Sequence, residues 1–208
     1  MILKKKKGII FGIANDHSIA WGIAKKLKEQ GAELAITYQN EILLKRVKPL
    51  SEELDSNFLL KCDFSYKNSI KDCFDKLKSK WDNIDFVVHA AAFSDKKELD
   101  GNYINTSKDN FVNTLNISCY SFTEISKYAS KIMLNGGSLL TLSFYGANKV
   151  MPNYNVMGIA KAALETSVKY LSVDLGSKNI RVNAISSGPM RTVAGAAIAN
   201  AREVYKYT

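Results

Sequence analysis

Cysteine is scarce in this chain, and its placement excludes more than its number does. Cys62, Cys73 and Cys119 are odd in number, widely spaced and free of any C-x-x-C arrangement. Neither a disulfide framework nor a structural zinc site is indicated, and each thiol reads as a small buried apolar group. Histidine is scarcer still: His17 and His89 have no metal-like partners at useful spacing, so no metal is expected. Long apolar runs are absent, and none approaches the ~20 residues that span a bilayer. The lysine run Lys4–Lys7, read as a solvated lead-in, is followed by Gly8-Ile-Ile-Phe-Gly12. That stretch is too short and too glycine-broken for a secretory signal. A cytoplasmic protein that binds no membrane is expected.

Acidic residues are outnumbered, 20 against 29 basic ones, giving a net charge of +9 over 208 residues. The basic residues are scattered along helical segments rather than clustered with aromatics, which argues against a nucleic-acid groove. A lysine-rich solvated surface, able to steer an acidic protein partner, fits the pattern. The length suits one domain with a sizeable core.

Apolar strand-like runs alternate with helical patterns from end to end. Strands are expected at Gly8–Gly12, Glu33–Gln39, Asn57–Asp63, Asp85–Ala92, Gly137–Ser143 and Arg181–Ser186. Between them, helical stripes are expected at Ile19–Leu27, Glu41–Leu54 and Ser69–Trp81. A polar stretch to about Ser107 leads into a long helix ending near Met133, and a last helix carries Lys161. Repeated strand–helix–strand units with nearly continuous apolar strands specify an α/β fold, a single doubly wound parallel sheet of the Rossmann type.

Ligands of such sheets bind beyond the carboxyl ends of the strands, where strand order reverses. Gly12-Ile-Ala-Asn-Asp-His-Ser-Ile-Ala-Trp-Gly22 follows the first strand. Glycine permits a tight turn beside a pyrophosphate, and the next helix offers free amides. Ser18 either caps that helix or donates to phosphate. Gln39 ends the second strand, where an adenosine ribose is read; a neutral amide gives no clamp for a 2′-phosphate. NADH is therefore expected over NADPH, although Lys45 and Arg46 lie nearby. Asp63 and Phe64 are placed to hold the edge and face of adenine, with helix capping as the alternative for Asp63.

Tyr154 and Lys161 carry the chemistry. In Asn153-Tyr-Asn-Val-Met-Gly-Ile-Ala-Lys161, six residues separate the phenol from the ammonium. On a helix the two lie about two turns apart on nearly one face. A phenol donor beside a lysine suits a reaction in which negative charge develops on a substrate oxygen. With a nicotinamide nearby, that reaction is hydride transfer.

Four segments together resemble the NADH-dependent bacterial type I enoyl-acyl carrier protein reductases of the short-chain dehydrogenase/reductase superfamily. They are Gly12-x5-Ser18-Ile-Ala-Trp-Gly-Ile-Ala24, Thr37-Tyr-Gln-Asn40, Pro152-Asn-Tyr-Asn-Val-Met-Gly-x-Ala-Lys161 and Arg181-Val-Asn-Ala-Ile-Ser-x-Gly-Pro-x-Arg-Thr192. The resemblance implies strand order 3-2-1-4-5-6 and reduction of a trans-2-enoyl thioester on acyl carrier protein, the closing step of fatty-acid elongation. It also implies a homotetramer. By matching position, Gly12, Ser18, Ile19, Gln39, Asp63 and Phe64 would touch the adenosine and pyrophosphate. The backbone of Ala90 to Ala92, with Lys161, Met190 and Thr192, would hold ribose, nicotinamide and phosphate. Tyr154 would meet the thioester carbonyl, and Phe144, Met157 and Ile198 would receive the acyl chain under a covering segment at 193–205.

The wide spacing has a chemical rationale. A ketone reductase delivers hydride to the carbon bearing the oxygen, and those superfamily members place tyrosine and lysine four apart. In an enoyl thioester, hydride lands on C3 while charge collects on the oxygen at C1, so the phenol must reach farther. Met157 stands where the shorter spacing needs its tyrosine. A hydroxyl–carbonyl dehydrogenase and a non-catalytic dinucleotide sensor are the alternative functions.

The chain departs from the family's pattern in three places. Phe144 occupies the position of a second tyrosine, with Tyr145 beside it. Ala90-Ala-Ala92 replaces a stretch that usually includes serine and glycine. Relatives continue past Thr208 through another helix and a last strand, so that strand is expected to be absent and the C-terminus truncated. Asn116 is expected either in a water relay near the site or bonded to neighbouring backbone.

Overall fold

The structure, a computed structural model, describes residues 1–192 and Gly195. Six strands, β1 (Lys7–Phe11), β2 (Glu33–Tyr38), β3 (Phe58–Lys61), β4 (Phe86–His89), β5 (Gly137–Phe144) and β6 (Ile180–Ser187), form one sheet. All neighbours pair in parallel, in the order β3-β2-β1-β4-β5-β6. The chain is thus a doubly wound α/β protein, and the order reverses between β1 and β4.

Side-chain alternation assigns the two faces of the sheet. Ile10, Leu34, Ile36, Phe86 and Val88 pack with Trp21 and Ala24 of α1 (Ile19–Glu29) and Val47 of α2 (Glu41–Glu53). The intervening residues Ile9, Phe11, Ala35, Val87 and Leu139 face the other way. There they meet Ile70, Phe74 and Leu77 of α3 (Ser69–Lys78), Phe122 and Ile125 of α6 (Ser121–Ala129), and Leu164 of α7 (Asn155–Gly176). A period of two with apolar residues at both phases is what a sheet buried on both faces requires.

Several boundaries differ from expectation. β3 covers only Phe58–Lys61, and β4 ends at His89; the Ala90 amide makes one more bond to β1, to the Phe11 carbonyl at 3.1 Å, and Ala91 and Ala92 lie beyond the ladder. The polar stretch before residue 107 contains a one-turn helix, α4 (Lys96–Leu99), and a 3₁₀ turn at Tyr103–Asn105. The long helix is α5 (Lys108–Leu115) joined to α6 through a π turn at Asn116–Tyr120. Lys6 is no free lead-in: its ammonium meets Asp85 at 2.7 Å, and the Lys7 amide donates to the same carboxylate at 2.9 Å. That pair ties the start of β1 to the approach to β4. Among the described residues no helix is long and apolar enough to cross a membrane.

Gly12 closes the switch point. Its φ is +102°, and a Cβ there would lie 2.2 Å from the carbonyl oxygen of Ala90. Only glycine lets the loop after β1 pass this close to the loop after β4. Gly12→Ala is therefore expected to cost about 1–3 kcal/mol from strain and crowding. Urea unfolding should show a lower midpoint with an unchanged slope; a wild-type midpoint would refute the steric account.

Candidate active site

A cleft of about 810 Å³ opens beyond the carboxyl ends of the strands. Its volume lies in the ~300–1,000 Å³ range of small-molecule sites. One end is walled by Gln39, Asp63 and Phe64, the middle by Gly12, Ser18, Ile19, Ala90 and Ala92, and the other end by Phe144, Tyr154 and Met157. Lys161, Met190 and Thr192 line it as well. Every site residue expected from the sequence meets there except Ile198, which lies outside the described residues, as does 193–205 apart from Gly195. Among the described residues no group of three histidine, cysteine or acidic side chains is placed to hold a metal.

At the middle of the cleft, Ser18 stands at the helix N-cap position without capping it. Its hydroxyl oxygen instead accepts from the amides of Ala14 (3.0 Å) and Asn15 (3.1 Å), so it shapes the loop after β1 rather than the helix end. Asp63 does not cap α3 either, since Asn68 holds that position. One Asp63 carboxylate oxygen accepts from the Ser65 amide at 2.9 Å, an Asx turn that sets the loop leaving β3. The ring of Phe64 stacks on His89 with centroids 5.8 Å apart. Asn116 donates to the Phe64 carbonyl at 3.1 Å, a backbone bond that also fixes the start of the π turn.

His89 shows why a lone histidine on an apolar strand needs no metal. It is 1% exposed, with Nδ1 2.8 Å from the Thr141 hydroxyl and Nε2 2.9 Å from that of Ser121. The Ser121 hydroxyl donates to the Ile117 carbonyl at 2.7 Å, so its oxygen accepts from His89 Nε2. Burial keeps the ring neutral, so Nδ1 is the acceptor for the Thr141 hydroxyl. Burial, and secondarily the nearby Lys161 charge, lower its pKa to about 3.

Tyr154 is held by backbone as much as by packing. It sits at the N-cap of α7 between Asn153 (φ +58°) and Asn155 (φ +33°). Asparagine tolerates this region because its short amide bonds locally. Asn155 Nδ2 donates to the carbonyls of Glu98 and Gly101, both at 3.2 Å. Uncommon backbone on both sides of one side chain is a mark of functional sites. The phenol ring is 7% exposed and meets Phe144 edge-on at 5.1 Å. Its hydroxyl has no hydrogen-bond partner among the described residues. Burial alone pushes its pKa above the ordinary tyrosine value. It is a neutral donor, ready for an oxygen in the cleft.

Lys161 is also 7% exposed, and its ammonium donates to the Leu142 carbonyl at 2.7 Å. Two N–H donors remain for a ligand. Desolvation lowers its pKa to about 8, against smaller upward pulls from Cys119 and Glu165. Tyr145 is 54% exposed in a 3₁₀ turn and turns away from the cleft that Phe144 lines. The three cysteines are buried and free.

Some contributors gave no readable signal in the sequence. A Cβ on Gly146 would lie 2.5 Å from the Tyr154 ring, so that glycine is the cradle for the phenol. Ile117, on the π turn, and Leu99, which packs with Tyr154, also line the cleft. A glycine two residues past a strand and a π turn inside a helical run both look ordinary until the chain is folded.

Residues 12–208 match the family model described as enoyl-(acyl carrier protein) reductase. A curated relative from Rhizobium meliloti, enoyl-[acyl-carrier-protein] reductase [NADH] 2, is 58% identical over 99% of this chain and 77% of its own length. Among solved structures, FabI from Candidatus Liberibacter asiaticus superposes with a TM-score of 0.97 at 53% identity, covering 99% of this chain and 80% of that one. The enoyl-(acyl-carrier-protein) reductase of Anaplasma phagocytophilum, in complex with NAD, gives 0.94 at 55% identity over 98% and 78%. Similarity this extensive, on a sheet of the expected order, leaves one conclusion: the chain belongs to the enoyl-acyl carrier protein reductase family.

Proposed function

We propose that this chain reduces trans-2-enoyl-acyl carrier protein to acyl-acyl carrier protein, with NADH as the reductant. The observation that carries the reading is the pairing, in one cleft, of a protonated phenol at position 154 with a buried ammonium seven residues later, and a methionine at 157. The names of the relatives and the NAD bound to one of them support it.

The cleft fits a dinucleotide. It runs unbroken from Gln39 to Tyr154 and passes the loop that Ser18 organises. Gly12, Ser18, Ile19, Gln39, Asp63 and Phe64 hold the adenosine and pyrophosphate side in this proposal. Ala90, Ala92, Lys161, Met190 and Thr192 hold the rest. Among the described residues no arginine or lysine lines the cleft near Gln39, and Lys45 and Arg46 are exposed on α2. That favours NADH over NADPH.

NADH, when bound, supplies the hydride that reaches C3 of the enoyl group. Tyr154 donates its hydroxyl hydrogen bond to the thioester oxygen, on which charge gathers as the double bond is reduced, and C2 then takes a proton from solvent. The phenol's raised pKa suits a donor that stays protonated throughout the neutral range. Lys161 binds ribose hydroxyls and adds positive potential beside them. Phe144, Met157 and Ile198 receive the acyl chain. An assembly of four copies, a cytoplasmic location and a covering role for 193–205 belong to the same proposal. The family resemblance supports the first two, and Gly195 at the rim of the cleft supports the third.

Tyr154→Phe is expected to lower kcat on crotonyl thioester about 100-fold, the worth of one oxyanion donor. NADH affinity, followed by fluorescence, should stay near wild type; an equal loss of both would make Tyr154 structural. The pH dependence has a definite sign. Lys161 is charged below about pH 8 and neutral above it, so NADH affinity should hold steady to that pH and then weaken. The limiting slope is about tenfold per pH unit, and Lys161→Met should bind weakly and without this dependence. A flat wild-type profile from pH 6 to 10 would refute the assignment.

A further inference from the structure

Glu165 touches neither substrate nor cofactor in the mechanism above, yet it bonds the segment that runs past both Lys161 and Tyr154. We propose that Glu165 is a positioning residue for both: its carboxylate clamps the two ends of Ser143–Asn148, fixing the wall behind the phenol and the carbonyl that holds the ammonium. The proposal rests on the reductase reading.

Glu165 lies one turn beyond Lys161 on α7, on the same helix face. One of its carboxylate oxygens accepts from the Ser143 hydroxyl at 2.5 Å, and the other accepts from Asn148 Nδ2 at 3.2 Å. Hydrogen bonds to an ionised acceptor are shorter and stronger than neutral ones. Among the described residues Glu165 makes no ion pair, so both oxygens are committed to neutral donors at the end of β5 and the turn after it.

The four residues between the clamped ends include Phe144, whose ring meets Tyr154, and Gly146, on which any Cβ would collide with that ring. Immediately before Ser143 stands Leu142, whose carbonyl accepts from Lys161. One carboxylate therefore sets the phenol's wall on one side and the ammonium's anchor on the other. Its charge also reaches Lys161. The groups facing that ammonium are His89 from β4, Cys119 from the π turn and Glu165 from α7, while β5 presents the Leu142 carbonyl. Of these only Glu165 is a carboxylate.

Two variants separate positioning from mere support. Glu165→Gln keeps the shape but removes the charge and replaces one charged acceptor with an amide donor, so the clamp loses its charge-assisted bonds. Asn148→Ala opens one end at an exposed residue outside the cleft and leaves the charge in place. Turnover of crotonyl thioester should fall about tenfold in Glu165→Gln and about threefold in Asn148→Ala, the scale expected of lost hydrogen bonds. At pH 7, NADH affinity should stay within about twofold of wild type in both, as for a loss confined to the chemical step. The alkaline fall in NADH affinity should move to lower pH in Glu165→Gln alone, because removing the carboxylate makes Lys161 lose its proton sooner.

Unchanged turnover in Asn148→Ala, whether or not Glu165→Gln folds, would overturn the proposal. So would parallel losses of turnover, NADH affinity and thermal midpoint in Glu165→Gln. The wild type runs in the same assay: an inactive wild type overturns the reductase reading itself, whereas an active wild type with equally active variants overturns only the clamp.

Discussion

Burying an ammonium at the end of a parallel sheet is costly unless something accepts its protons, and here the acceptor is a main-chain carbonyl. The 2.7 Å bond from Lys161 to Leu142 joins the first turns of α7 to the last residues of β5. Around it the site falls into place. Tyr154 is the N-cap of α7, so fixing the helix against the strand also fixes the distance at which the phenol stands. β5 in turn is registered against β4 with Thr141 opposite His89, and those two side chains are bonded. Sheet register, helix position and the two reactive groups are thus settled together.

Much of this was legible in the residues. Apolar runs with both phases of a period-two pattern filled, separated by striped helices, are consistent with little except a two-sided parallel sheet, and the strand order followed from the family resemblance. The cleft was legible for the same reason. A doubly wound sheet has one place where loops part, and Gly12, Gln39, Asp63 and Ala90 each follow a strand that ends there. The Tyr154 and Lys161 pair stood out because its spacing has a chemical meaning of its own.

What escaped the sequence has a common cause. Serine, asparagine and aspartate can each satisfy several partners, and which one wins depends on distances that only tertiary structure sets. Ser18 occupies a helix start yet spends its oxygen on loop amides. Asp63 turns its carboxylate to its own loop instead of capping α3. Gly146 matters through a ring that is eight residues away in sequence. β4 fell short because apolar composition continues past the last ladder bond, as Ala91 and Ala92 illustrate.

The π turn at Asn116–Tyr120 sets the angle between two helix faces. One extra residue in a helical turn offsets everything before it by about 100° relative to everything after, since an α-helix advances 3.6 residues per turn. That phase offset lets Phe111 and Leu115 of α5 pack against the cluster that holds Tyr154 while Phe122 and Ile125 of α6 face the sheet. Deleting one position there would restore a regular helix and turn one of those two faces by about 100° from its partner surface. The length of this segment therefore sets the angle between the wall of the site and the sheet core, independently of which side chains it carries.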